Sequence, residues 1–320
     1  PARRGTVEGS DATGQEQIMS SFRPPTSSPH AGHDPGPPSP PAPFVAVGVR
    51  GDEPEVLRLA AELAQAYEVP LHVVHAYWST AGSADRYVGR DVPDALREAG
   101  LRALADARHR LGDRAPAHVD YSLPFAPPAS AMAAASKQAR IVVLGTDDAR
   151  WFERLAGRTV ARHTALHAKC PVAVVPEGTR EGPGEVVAAI DLGNVSDAAL
   201  KFAVDISSRL GAVLRVVSVV LAGLTDPGRE QQHARLDRAV HDLRHLHPAL
   251  DIRTEIITDD AGKALARATE SARLVVIGRP NEPRMAPVFG RPVATGLLSA
   301  ARCPIVVVPV ETRHDWLHPS

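Results

Sequence analysis

Ile141-Val142-Val143-Leu144-Gly145-Thr146 returns almost residue for residue as Leu274-Val275-Val276-Ile277-Gly278-Arg279. Farther along the chain, Cys170-Pro171-Val172 returns as Cys303-Pro304-Ile305 at the same spacing. Each of the first two stretches is an apolar run ending in glycine, which is typical of a buried parallel strand followed by a turn. Two copies at one fixed spacing suit two domains better than a solenoid, which needs three or more short units. The sequence therefore predicts a duplicated domain.

The composition is that of an ordinary globular chain. Of its 320 residues, 44% are hydrophobic and 23% are charged, and the formal net charge is −1. This balance gives no signal for nucleic acid or an anionic membrane, and 4% aromatic residues argues against a base-stacking surface. No apolar run approaches the ~18 residues of a membrane span, and no secretory signal pattern is visible. We expect a cytoplasmic protein with no nucleic-acid and no membrane partner.

The two cysteines, Cys170 and Cys303, stand at equivalent positions of the repeat. Each comes just before a proline and a buried-strand pattern, so we interpret both as small buried hydrophobic residues. A disulfide between them stays open, and their spacing does not suggest a metal site.

Residues 1–43 differ in composition from the rest of the chain. From Pro24 to Pro43 the sequence is dense in Pro, Ser, Gly and His and has almost no apolar residue to bury. We predict a disordered or polyproline-like tail, which either carries a partner motif of the PxxP kind or has no partner. Residues 311–320 are predicted to form a short C-terminal tail.

Strand-like apolar runs alternate with amphipathic helical patterns through both copies. Domain one is predicted at residues 44–176 and domain two at residues 185–310, joined by a linker at 177–184 that is rich in Gly, Pro and charge. Alternating strands and helices indicate a parallel sheet with right-handed crossovers. The predicted fold class is α/β, with two tandem Rossmann-like domains, each a doubly wound five-stranded parallel sheet.

With these residues in view, each copy resembles the universal stress protein family, in the tandem form known from actinobacteria. The likeness covers nearly all of residues 44–310. Leu71-His72-Val73-Val74-His75-Ala76-Tyr77-Trp78 is very like the family's second strand, and the Cys-Pro-Val endings are its most recognisable feature. The resemblance implies that the Rossmann-like domains are of the adenine nucleotide alpha hydrolase-like kind.

The resemblance also implies how the two domains meet. In the family, the last strands of two domains commonly pair edge to edge. We expect residues 172–175 and 306–308 to pair in this way, which would hide two apolar sheet edges and form an intramolecular pseudo-dimer.

The same resemblance makes ATP the candidate cofactor. Members of one branch bind ATP where the strand order reverses, as is general for this architecture. They use an Asp at the end of the first strand and a loop written Gly-x-x-Gly, nine residues, then Gly-Ser or Gly-Thr. Glycines let backbone N–H groups approach phosphate oxygens, and the following helix N-terminus adds partial positive charge.

Domain one departs from this pattern. Arg50 stands where the first-strand Asp is expected. The loop begins with Gly145, but Asp148 replaces the second glycine and Arg158-Thr159 replaces the final Gly-Ser. An Asp147-Asp148 pair would repel a polyphosphate, and its side chains would block close backbone approach.

Domain two departs less. Asp191 matches the acidic position, and the loop begins with Gly278. However, Asn281 replaces the second glycine and Arg291-Pro292 replaces Gly-Ser. The prolines on either side of Asn281 remove backbone donors that a phosphate-binding loop would use.

Each of these residues has a second interpretation. Arg158 and Arg291 either hold an anion through bidentate bonds or are solvated or ion-paired charges at a helix start. Asp191 either contacts a ribose or base or caps a helix. Gly145 and Gly278 suit the strand-to-helix turn with or without a ligand.

The sequence therefore favours a non-catalytic stress-response regulator that acts by binding, with degraded nucleotide loops and weak or no ATP binding. The alternative is an ATP-binding universal stress protein that uses mainly domain two and hydrolyses ATP slowly at most. No catalytic constellation is recognisable, and His241, His245 and His247 are expected to be surface residues rather than metal ligands. Expected partners are an adenine nucleotide, a second copy of the chain, or a regulatory protein.

Overall fold

The computed structural model describes residues 43–51, 53–78, 91–146, 160–179, 184–192, 197–220, 226–259, 261–279 and 301–310. Its strands are β1 (Phe44–Gly48), β2 (Leu71–Val74), β3 (Val119–Ser122), β4 (Ala139–Gly145), β5 (Val172–Val175), β6 (Glu185–Ile190), β7 (Leu214–Val220), β8 (Ile252–Thr258), β9 (Ala272–Gly278) and β10 (Ile305–Val308). Its helices are α1 (Pro54–Tyr67), α2 (Asp91–Leu111), α3 (Pro128–Ala135), α4 (Val160–His167), α5 (Asp197–Leu210), α6 (Asp226–Leu246) and α7 (Ala261–Ala268).

Among these residues the strands form one sheet in the order β3-β2-β1-β4-β5-β10-β9-β6-β7-β8. Within each half all neighbouring strands are parallel. The two halves have the same order, which reverses between β1 and β4 in the first and between β6 and β9 in the second. The predicted α/β fold class is confirmed, with a five-stranded parallel sheet in each half.

The halves are joined by the two strands expected from the resemblance. β5 and β10 pair antiparallel, with Val174 opposite Ile305 and Val172 opposite Val307. Every residue of both strands is buried. Because an apolar edge strand is a template for aggregation, this pairing protects both edges at once. The predicted pseudo-dimer is therefore present, while the domain boundaries at 44–176 and 185–310 and the linker at 177–184 remain predictions.

Helices cover both faces of the sheet, and the two faces differ. On one face, α1, α2, α5 and α6 contribute to a single hydrophobic core that runs through both halves. On the other face, each half has its own core, built with α3 and α4 in the first and with α7 in the second. Alternate strand residues supply the two faces, so that Val45 faces the shared core and Ala46 the separate one. The shared core on one face thus joins the two halves, and on the other face Ala165 of α4 packs against both separate cores.

Helix α1 shows how the sequence sets these elements. Pro54 occupies the first turn, where its missing N–H costs nothing. Val56, Leu59 and Leu63 recur at helical spacing and are buried. The helix ends at Tyr67, and the capping residue Glu68 adopts the left-handed conformation with φ 54° and donates its N–H to carbonyls of the last turn.

Two equivalent ion pairs cross between the halves. Arg140 on β4 contacts Asp205 on α5, with 3.5 Å between Nη2 and Oδ2. Arg273 on β9 contacts Glu62 on α1. Arg140 and Arg273 are related by the sequence repeat, so each half extends the same arginine to the opposite helix. Such reciprocity is the signature of a two-fold interface.

The pair at Arg140 belongs to a buried cluster around Tyr67. The guanidinium carbons of Arg140 and Arg209 lie 4.3 and 4.7 Å from the centre of the Tyr67 ring. Arg209 also donates to Asp205 at 2.9 Å. Burial, followed by the nearby Asp205 charge, raises the pKa of Tyr67. The cluster combines cation–π and ionic contacts at the centre of the interface.

A second repeat-related contact ties each Cys-Pro turn to the end of a helix, α3 in the first half and α7 in the second. Ser136 Oγ accepts from the Lys169 amide at 3.1 Å, and Thr269 Oγ1 accepts from the Arg302 amide at 3.0 Å. Both hydroxyls are buried and also donate to helix carbonyls. Their hydrogen-bonding capacity is therefore used inside the protein.

The interpretation of the cysteines is confirmed. Cys170 and Cys303 are buried and free of disulfide bonds. Burial raises the pKa of both thiols, that of Cys303 to about 12. Neither thiol is therefore an accessible nucleophile at neutral pH.

The second strand differs from its expected length. The sequence pattern runs to Tyr77, but β2 ends at Val74. Beyond the end of β2, Tyr77 and Phe125 form an isolated parallel bridge.

None of the described helices is long and apolar enough to cross a bilayer.

We expect Arg140→Ala to lower the free energy of unfolding by about 2–4 kcal/mol, because the side chains of Arg140 and Asp205 are only 9% and 16% exposed. Arg253→Ala is the matched control, since the Arg253 side chain is 57% exposed and its ion pairs are worth less than about 1 kcal/mol. Urea unfolding of both variants measures the difference. Equal effects would show that the interdomain cluster contributes no special stability.

Candidate nucleotide crevices

The two positions where strand order reverses are the expected binding crevices. In the first half the carboxyl ends of β1 and β4 lie side by side, and in the second half those of β6 and β9 do. Ligands of open α/β sheets bind outside such neighbouring ends, because the crossover helices diverge to opposite faces there. The residues that follow these four strands therefore decide what each crevice can hold.

In domain one, Arg50 lies across the crevice. Its Nη2 donates to the backbone oxygen of Thr146 at 2.9 Å, joining the end of β1 to the start of the loop after β4. The same Nη2 lies 2.6 Å from Glu53 Oε1. The Arg50 amide also donates to Glu53 Oε2 at 3.0 Å. Arg50, which is held by Glu53, thus links the two strand ends through its hydrogen bond to Thr146.

Glu53 covers the glycine that opens the loop. A Cβ placed on Gly145 would lie 2.4 Å from Glu53 Oε1 and 3.1 Å from Val56 Cγ2. A side chain at this position would have to displace the end of the Glu53 side chain, which is only 15% exposed. A carboxylate at this point repels phosphate. The glycine that resembles a phosphate-loop residue has a structural role here.

The inner wall of this crevice is also tightly packed. A Cβ on Gly48 would lie 2.6 Å from Leu144 Cδ2 and 3.2 Å from the Met132 sulfur. His75 Nδ1 lies 2.9 Å from the Val49 oxygen, and burial lowers the pKa of His75. A neutral His75 hydrogen-bonded to the backbone is a wall residue rather than an anion-binding cation.

Domain two presents a different pair of strand ends. Asp191 directly follows β6 and is half-buried, and Gly278 ends β9. Because Ala189 lies opposite Ile277, Asp191 and Gly278 come to the same edge of adjacent strands. Of the predicted site residues, these two are brought together by the structure.

Arg279 follows Gly278 and turns away from domain two. Its Nη1 donates to the Leu166 and Ala168 oxygens, each at 3.0 Å, at the carboxyl end of α4 in domain one. A cation is favourable there because the last carbonyls of a helix lack partners. Partial burial lowers the pKa of Arg279, which nevertheless stays charged at neutral pH. The residue of domain one that corresponds to Arg279 in the repeat is Thr146, so this arginine contact makes the two halves different.

The other predicted site residues lie outside the described part of the chain. Arg158 and Thr159 fall within residues 147–159, and Asn281 and Arg291 fall within residues 280–300. Their predicted roles therefore remain predictions.

Sequence reasoning missed two residues, Glu53 and Arg279. A signal existed for Glu53, because Pro54 marks a helix start and an acidic residue just before it, three residues after Arg50, is close enough in the chain to pair with that arginine. No sequence signal indicated that Arg279 would reach the other domain.

The described residues contain no group of three or more His, Cys, Asp or Glu side chains able to hold a metal ion. His241 and His245 lie edge to face on α6, with ring centres 4.6 Å apart, and both are exposed. The expectation that these histidines lie at the surface is confirmed.

Comparison with known proteins gives a consistent result. The model of the Universal stress protein family matches residues 44–176 and again 184–309. Universal stress protein Rv2005c of Mycobacterium tuberculosis is 28% identical over 258 residues, which is 75% of this chain and 87% of that protein.

Solved structures are similar as well. A universal stress protein from Archaeoglobus fulgidus has a TM-score of 0.63 at 16% identity, over 82% of this chain and 96% of its own. A smaller universal stress protein, solved in complex with cAMP, is 20% identical over 42% of this chain and 96% of its own, with a TM-score of 0.34. Two family matches on one continuous sheet identify the chain as a tandem member of the universal stress protein family.

Proposed function

We propose that this protein is a non-catalytic stress-response regulator that works by binding, in which only domain two retains a weak adenine-nucleotide site. The observation that carries the proposal is the ion pair between Arg50 and Glu53, which spans the domain-one crevice to Thr146. Domain two has Asp191 in place of that arginine. The proposed setting is the reducing cytoplasm, which suits two free cysteines.

Charge and space both oppose a nucleotide in domain one. Glu53 places a mostly buried carboxylate against Gly145, where an incoming phosphate would need backbone donors. Arg50 cannot compensate simply, because turning toward a phosphate would break its contacts with both Glu53 and Thr146. Nucleotide binding in domain one would therefore lose the free energy of these contacts, which offsets the free energy gained from contacts with the phosphate.

In domain two, the support is the placement of Asp191 beside the end of β9. A carboxylate at this edge can accept hydrogen bonds from a ribose hydroxyl or a base amine. The loop after Gly278 has few of the glycines that let backbone amides surround phosphate, and it contains Pro280 and Pro283. We infer that the nucleoside part supplies most of the affinity, and that binding is weak.

The proposed absence of catalysis rests on the same geometry. Among the described residues at the domain-one crevice, the cation Arg50 is already paired with Glu53. Efficient phosphoryl transfer needs positioned cations aimed at the transferring group. The alternative function is slow ATP hydrolysis in domain two. The match of Asp191 to the acidic position of the family pattern favours this alternative.

Calorimetric titration with MgATP should detect one weak site, with a dissociation constant of about 1 mM, equivalent to about −4 kcal/mol. Asp191→Ala should abolish the heat, because it removes the contact that only domain two offers. Arg50→Ala is the matched control at the same position of domain one and should leave the heat unchanged.

Three outcomes would contradict this assignment. Sub-micromolar binding would show that the loops are not degraded, and loss of binding in Arg50→Ala would place the site in domain one. No heat and no thermal shift at millimolar ATP would remove the nucleotide from the proposal and leave a protein-interaction role.

Removing the charge on Glu53 should make domain one more receptive to nucleotide. In an Asp191→Ala background, which should show no binding heat, we expect Glu53→Gln to give measurable MgATP binding with a dissociation constant of about 1 mM, because one close negative charge is removed near the phosphates. Glu55→Gln is the control, since Glu55 is an acidic residue two positions farther along, in the first turn of α1. Equal titrations for the two variants would show that Glu53 does not restrict the crevice.

A further inference from the structure

Three aromatic side chains gather just beyond the ends of β2 and β3. We call Tyr77, Trp78 and Phe125 the aromatic corner. The Phe125 ring centre lies 5.2 Å from that of Tyr77 and 5.1 Å from that of Trp78. These distances are typical of favourable aromatic pairs. In a chain with only 4% aromatic residues, such a concentration is unusual.

The backbone at the aromatic corner is hydrogen-bonded between the two chain segments, although two of the three rings are exposed. The Tyr77 amide donates to the Pro124 oxygen at 3.2 Å, and the Ala126 amide donates to the Tyr77 oxygen at 3.0 Å. Trp78 and Phe125 are nevertheless 47% and 54% exposed. A fixed, exposed aromatic pair indicates an interaction surface rather than a packing defect.

The fold does not require these aromatic residues. Domain two builds the same part of the sheet with Val220 opposite Thr258, in the places of Tyr77 and Phe125. Those residues pair in a regular parallel ladder without any aromatic ring. The aromatic corner is therefore a feature of domain one alone.

The chain itself contains a segment of matching chemistry. Nine of its 29 prolines lie between Pro24 and Pro43, and residues 35–43 contain overlapping PxxP spacings. Proline-rich segments in the polyproline II conformation bind to surfaces lined with exposed aromatic rings, because their conformation is already ordered and costs little entropy.

The proline-rich segment can reach this surface. It enters β1 at the amino ends of the strands, about 17 Å from the carboxyl ends for a strand of this length. The aromatic corner lies two strands across, a further ~10 Å. Residues 24–42 can extend about 60 Å at ~3.1 Å per residue, enough to pass around a covering helix.

We propose that residues 24–42 dock on the aromatic corner of the same chain, with proline rings against Trp78 and Phe125. This surface lies outside both crevices, so the proposal does not depend on nucleotide binding. A regulator built this way would present either a covered or an open aromatic surface to a partner.

The test uses the full chain with Trp151→Phe and Trp316→Phe, which leaves Trp78 as the only tryptophan. Replacing the eight prolines of residues 24–42 by serine keeps the length of the segment. We expect the Trp78 emission to shift to the red and its quenching by acrylamide to rise about twofold, because the ring loses its cover. A synthetic peptide of residues 24–42 should then reverse both changes in a saturable way.

Phe125→Ala should weaken that peptide titration at least about fivefold, as expected for the loss of one stacking partner. Leu246→Ala is the control, because Leu246 is 72% exposed on domain two. Unchanged Trp78 emission in the serine variant, with no saturable peptide binding, would overturn the proposal. Emission that depends on protein concentration but not on the prolines would overturn it in favour of a second copy of the chain.

Discussion

The antiparallel pairing of β5 with β10 is the constraint on which the rest of the structure depends. Each strand is the last of its half and wholly apolar, so each would be an exposed edge if the other were missing. Their pairing makes one sheet of two halves and brings α1 against α5 on a shared core. The reciprocal contacts of Arg140 with Asp205 and of Arg273 with Glu62 then form across that core. The two domains are therefore one structural unit.

Within this symmetric frame the two crevices have diverged. Domain one uses the position after its first strand for Arg50, which with Glu53 links the strand ends, whereas domain two places Asp191 there. Arg279 adds a second asymmetry, because it connects the start of the domain-two loop to the helix that ends beside β5. Duplication lets one copy keep a ligand site while the other keeps only the fold. The proposed function follows from this division of roles.

The two similar apolar runs that end in Gly145 and Gly278 predicted the duplicated α/β fold, because a buried parallel strand appears in the sequence as a continuous apolar run. The residues that differ from the phosphate-loop pattern could also be identified directly from the sequence. The position of the Glu53 carboxylate over Gly145 could not be predicted from the sequence, since it depends on the rotamer of a side chain that directly precedes a helix. The partners of Arg140 and Arg279 were also hidden, because contacts between domains leave no local periodicity. Sequence predicts elements and their order, whereas long-range side-chain pairing comes from packing.

The central claim is that the two crevices are unequal, and hydrogen–deuterium exchange with and without saturating MgATP tests it most directly. We expect MgATP to slow exchange in peptides containing Asp191 and Gly278. Peptides that contain Arg50 and Glu53, or Gly145 and Thr146, should exchange at the same rate in both conditions. Equal protection of both crevices, or protection of domain one alone, would contradict the account.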